Sequence, residues 1–90
     1  MNAEMHKFSQ WIDETDAEKL LSYFNEKLVL SGFGIVSVQE EHFKPYGYTA
    51  LFLLSESHFA IHTFPEHKTT YIELTSCVKK PFNAFIKSIS

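Results

Sequence analysis

Thr69-Thr70-Tyr71-Ile72-Glu73-Leu74-Thr75-Ser76-Cys77 places Ile72 and Leu74 on one side of an extended chain and Tyr71, Glu73, Thr75 and Cys77 on the other. Successive β side chains point to opposite faces, so this period of two predicts a strand with one face in a core. The other face is polar and is where a site or a subunit contact would sit. Going back along the chain, Pro65-Glu66-His67-Lys68 reads as a connection and His58 to Phe64 as another strand. Tyr48 to Leu54 is almost continuously hydrophobic, which predicts a strand inside a sheet and not at its edge. Glu41-His42-Phe43-Lys44-Pro45-Tyr46-Gly47 carries the proline and glycine of a turn, and Ile35 to Glu40 precedes it as a strand. Met5 to Ile12 holds Phe8, Trp11 and Ile12 in a weaker pattern and is read as a further strand.

Two helices frame these strands. Thr15-Asp16-Ala17-Glu18 has the spacing of a capping box, in which the Thr15 hydroxyl takes an unpaired N–H and Glu18 reaches back. Ala17, Leu20, Leu21, Phe24 and Leu28 then recur at helical spacing, and Ser31-Gly32 ends the helix. After Lys79-Lys80-Pro81, the residues Phe82, Phe85, Ile86 and Ile89 recur in the same way, with the proline in a first turn. The expected fold is α+β, a two-layer sandwich of a mainly antiparallel sheet with two helices on one face, formed by residues 1–90 as a single domain.

Composition narrows the function. Hydrophobic residues make up 44% of the chain and there are nine phenylalanines, which argues against disorder. A net charge of −3 gives no electrostatic reason to expect nucleic acid. No apolar run approaches the roughly 20 residues that cross a bilayer, and Met1 to Ser9 lacks the apolar stretch of a secretory signal. The chain is therefore expected in the cytoplasm. Its one cysteine, Cys77, cannot form an internal disulfide and fits a reducing compartment. His6, His42 and His67 are scattered, and no metal is expected. A chain of 90 residues buries a smaller share of its surface than a larger one does, so a marginal core or a partner subunit is expected.

The segment Leu53-Leu54-Ser55-Glu56-Ser57-His58-Phe59-Ala60-Ile61-His62-Thr63-Phe64-Pro65-Glu66 is the chemically distinctive one. Its Glu56-Ser57 bond opens a hydrophobic strand, His62 follows five residues later, and Cys77 lies downstream. Phe43-x-Pro45-Tyr46-Gly47 precedes it. Over about Ile35 to Phe85, these residues and spacings resemble the bacterial and archaeal S-adenosylmethionine decarboxylase proenzymes. The resemblance implies self-cleavage between Glu56 and Ser57, with Ser57 becoming a pyruvoyl group, a self-made cofactor. In that chemistry the Ser57 hydroxyl attacks the Glu56 carbonyl to give an ester. Loss of the Ser57 α-proton then expels the Glu56 carboxylate, and hydrolysis of the dehydroalanine leaves the ketone and ammonia.

The resemblance further implies that His62 assists processing and that Cys77 donates the proton after carbon dioxide leaves, roles suited to an imidazole and a thiol. The pyruvoyl carbonyl would take a substrate amine as a Schiff base and act as the electron sink. Phe43 would stack on the substrate's adenine and Glu66 would bind its ribose hydroxyls. Thr49 stands where the family usually has a second processing serine, a hydroxyl retained on a stiffer side chain. Phe64 replaces a tryptophan, His67-Lys68 an aromatic-glycine pair, and Thr75-Ser76-Cys77-Val78 the family's Phe-Thr-Cys-Gly. Family members also continue beyond the last helix into a further strand, whose place a homodimer partner would take unless the chain is a shortened member.

Three readings follow. The first is decarboxylation of S-adenosylmethionine, a carboxy-lyase step toward spermidine and other polyamines. The second is a pyruvoyl decarboxylase of another amino acid, such as arginine or ornithine. The third is an unprocessed, non-catalytic relative acting as a binding or regulatory subunit.

Overall fold

The computed structural model describes residues 3–90. Strand β1 (His6–Ile12) is followed by helix α1 (Ala17–Ser31), β2 (Ile35–His42), β3 (Tyr48–Leu54) and β4 (Ser57–Phe64). A turn of 3-10 helix (Pro65–His67), β5 (Thr69–Ser76) and helix α2 (Lys79–Ile89) complete the order. The strands form one antiparallel sheet in the order β1-β5-β4-β3-β2. Short connections join β2 through β5 as a meander, and α1 carries the chain from the β1 edge to the β2 edge. The α+β sandwich read from the sequence is therefore the one that forms. β3 is paired on both sides, as its hydrophobicity predicts, and β4 takes the centre.

The core lies on one face of the sheet. Leu20, Phe24 and Leu28 of α1 and Phe82 and Phe85 of α2 are buried against Phe52, Phe59, Ile61, Ile72 and Leu74. Phe59 sits in the middle, with ring centroids 5.0 Å from Phe24 and 5.4 Å from Phe85. Burying one such side chain contributes about 1.5–3 kcal/mol, so this aromatic column fixes both helices over the central strands.

Three local expectations are corrected. The cap of α1 is Asp16 and not Thr15: the Asp16 carboxylate accepts the Lys19 N–H at 3.0 Å. Glu14 is the reason, because its carboxylate already accepts the Thr15 and Asp16 N–H groups at 3.1 and 3.0 Å and delays the helix by a residue. β5 ends at Ser76, so Cys77 lies just past the strand, exposed, in the turn that leads to α2. The uncovered sheet face is not uniformly polar. Trp11, Leu51 and Leu53 stand on it 58%, 48% and 53% exposed, beside Glu73 and Thr75.

Candidate active site

The β3–β4 hairpin is tight: Leu54 pairs with Ser57, leaving only Ser55 and Glu56 to turn the chain. Glu56 adopts φ 58°, the left-handed region that a side chain with a Cβ occupies at a cost of about 1–2 kcal/mol. The turn is held from outside. Ser55 donates its N–H to the Gly34 carbonyl at 3.0 Å, and a Cβ on Gly34 would come within 3.1 Å of the Ser55 hydroxyl. A glycine there lets the turn close against the chain entering β2.

The carbonyl of Glu56 faces Cys77. It accepts the Cys77 N–H at 3.4 Å and the Cys77 thiol at 3.2 Å. Two donors on one carbonyl polarise it toward attack by a nucleophile. The next residue supplies one: Ser57 is the first residue of β4, and its side chain is 7% exposed. Its hydroxyl lies 2.7 Å from that of Ser76, directly opposite on β5. Glu56, Ser57, Ser76 and Cys77 thus form one cluster at the turn end of the central strand.

The remaining candidates lie at the other end. Thr49 Oγ1 and His62 Nδ1 are 3.1 Å apart on the uncovered face, so the proposed processing hydroxyl does meet the histidine. His62 stacks over Tyr71 at 6.5 Å, and Tyr71 packs against Trp11 at 5.1 Å. Phe43 is exposed in the β2–β3 turn, where its N–H donates to the Gly47 carbonyl at 2.8 Å. Glu66 is exposed in the 3-10 turn after β4. Tyr48 anchors this end: its hydroxyl donates to Glu40 at 2.6 Å, and burial, then Glu40, pushes its phenol well above the usual range. It stays a protonated donor.

The fold separates His62 from Ser57 and Cys77. Ser57 and Cys77 meet through Glu56, whereas His62 lies five residues along the same strand, about 16 Å away at the usual rise. The two side chains also leave opposite faces, since Ser57 is in the core-facing series with Phe59 and Ile61. The candidate residues of one chain therefore fall into two groups, or candidate half-sites: Glu56, Ser57 and Cys77 at one end of β4, and Phe43, Thr49, His62 and Glu66 toward the other. His58 is exposed on the uncovered face beside Leu53 and Thr75.

Ser76 is the contact that the sequence reading passed over. Its signal was present: counting by twos from Ile72 and Leu74 puts a serine into the core series, where a hydroxyl needs a partner. Among the described residues no group of three or more His, Cys, Asp or Glu could hold a metal ion, and no helix is long and apolar enough to cross a membrane.

The family described as S-adenosylmethionine decarboxylase matches residues 3–89. S-adenosylmethionine decarboxylase proenzyme 2 of Bacillus cereus is 47% identical over 47 residues, covering 52% of this chain and 38% of the relative. The S-adenosylmethionine decarboxylase proenzyme of Brevibacillus brevis is 42% identical over 62 residues, covering 69% of this chain and 47% of the relative. The chain thus spans less than half the length of these two relatives. The crystal structure of the adenosylmethionine decarboxylase from Aquifex aeolicus shares the fold, with a TM-score of 0.68 and 21% identity over 92% of this chain and 77% of that one.

Proposed function

Because the chain belongs to the S-adenosylmethionine decarboxylase family, we propose that it is a proenzyme that cleaves itself between Glu56 and Ser57 and then decarboxylates S-adenosylmethionine. The observation that carries this reading is the Glu56 carbonyl, held in a left-handed turn under the Cys77 N–H and thiol, with the Ser57 hydroxyl next in the chain. These residues fit formation of a pyruvoyl group from Ser57. That group supplies an electrophilic carbonyl, an electron sink for the carbon dioxide-releasing step of polyamine synthesis. The chain's own residues do the rest. In this reading Cys77, exposed beside the new terminus, returns the proton, and its free thiol suits a reducing, cytoplasmic compartment.

The separated half-sites support a homodimer. Stacking two uncovered faces about a two-fold axis that lies between the sheets, across the strands, puts the Ser57 end of one copy over the His62 end of the other. The same stacking covers Trp11, Leu51 and Leu53. In such a dimer Thr49 and His62 lie over the backbone of the partner's Glu56–Ser57 turn, while Phe43 and Glu66 contribute the aromatic face and carboxylate for adenine and ribose.

Intact mass spectrometry tests the proposal. Wild-type protein is expected as two chains, residues 1–56 and a pyruvoyl-capped 57–90, and to release carbon dioxide from S-adenosylmethionine. Ser57→Ala is expected to stay whole and inactive. Cys77→Ala is expected to cleave, slowed by about tenfold or less because a thiol is a weak donor, and then to turn over poorly. A wild-type chain that remains single through prolonged incubation would overturn the reading.

A further inference from the structure

Ser57 has a neighbour that neither the motif nor the family match assigns a role. Ser76 is fully buried, and its side chain makes three hydrogen-bonding contacts. Its oxygen accepts the Val78 N–H at 2.9 Å, its own proton goes to the Val78 carbonyl at 3.2 Å, and the Ser57 hydroxyl approaches at 2.7 Å. A serine has one proton to give. With that proton committed to Val78, Ser76 can only accept from Ser57. The Ser57 O–H bond is therefore directed at Ser76, and its lone pairs are left free on the remaining side of the oxygen.

We propose that Ser76 is the positioning residue for self-cleavage, holding the Ser57 hydroxyl as a donor so that its lone pairs are presented to the Glu56 carbonyl. The proposal rests on the reading that Ser57 is the cleavage nucleophile. In the step concerned, the bond from Ser57 Oγ to the Glu56 carbonyl carbon forms and the Glu56–Ser57 amide bond breaks. The hydroxyl proton ends on the departing Ser57 nitrogen, giving an ester and a free amine without oxidant or reductant. His62 cannot direct this hydroxyl within the same chain, because it stands on the other sheet face at the far end of β4. Ser76 is held in turn by the residue that caps α2, so the nucleophile's orientation is tied to the β5–α2 junction.

The test follows cleavage in the full chain by intact mass, with hydroxylamine added to trap any ester. Ser76→Ala is expected to slow cleavage at least tenfold and to leave an intact amide with no hydroxylamine-sensitive ester. Ser76→Thr, which restores the hydroxyl and matches the family pattern, is expected to recover most of the rate. Thr70→Ala is the control: it removes another fully buried β5 hydroxyl, bonded to the Glu14 carbonyl at 2.6 Å at the opposite end of the strand. It is expected to lower the melting temperature while cleaving at the wild-type rate. Should Ser76→Ala fail to fold, Ser76→Cys keeps the volume with a weaker acceptor and is expected to cleave slowly. Cleavage of Ser76→Ala at the wild-type rate, or equal slowing by Thr70→Ala, would overturn the role of Ser76 while leaving the proenzyme reading intact. A wild-type chain that never cleaves would overturn both.

Discussion

At Glu56 the backbone is held in the conformation that glycine adopts without cost, yet the residue is a glutamate. The Ser55 N–H and the two Cys77 donors grip the turn from both sides, so surrounding contacts offset the local strain. This predicts a divergence between stability and processing. In the uncleavable Ser57→Ala background, Glu56→Gly is expected to leave the unfolding free energy unchanged or to raise it by less than about 1 kcal/mol, since relief of strain is partly offset by a more flexible unfolded chain. With Ser57 restored, the same change is expected to slow cleavage several-fold. Unaltered cleavage, read by intact mass, would show that the turn's conformation has no part in the reaction.

At the scale of elements, patterning and tertiary contact contributed differently. The 3.6-residue spacing of Leu20, Phe24 and Leu28 and the period of two in β5 specify their elements locally, because each needs one face buried. The start of α1 was less legible. Thr15 and Asp16 are both good caps, and the choice falls to Glu14, whose carbonyl is tied to Thr70 on β5 while its carboxylate takes the Thr15 and Asp16 N–H groups. Asp16→Ala is accordingly expected to destabilise the uncleavable protein by about 1 kcal/mol in urea, and Thr15→Ala by no more than about 0.5 kcal/mol. The reverse order would restore the capping box at Thr15. The end of β5 was likewise set by contact, since Ser76 bonds to Val78 and turns the chain before Cys77 can extend the strand.

At the scale of the whole molecule, the distance between the half-sites makes the decisive prediction. Ser57→Ala and His62→Ala are each expected to fail when expressed alone. Co-expressed, they form mixed dimers in which one site combines the intact Ser57 of one chain with the intact His62 of the other. Cleavage is then expected in the His62→Ala chain alone, with part of the decarboxylase activity recovered. If co-expression leaves that chain whole, the site is not shared across copies. Replacing Leu53 with Glu puts a charge on the uncovered face far from the core, and is expected to give a monomer by light scattering that does not cleave.

The sequence by itself determined the elements, the face each one buries, and the chemical types gathered around Ser57, because hydrophobic period and residue chemistry are local properties. It could not determine which of those chemical groups meet. Their company depends on register and parity: pairing Ser57 with Ser76 brings Cys77 to the Glu56 carbonyl, and five residues of extended strand carry His62 to the other end and the other face. Only the assembled sheet fixes those two quantities, since a strand's neighbours are distant in the chain and a shift of one residue would exchange every side chain between core and open face.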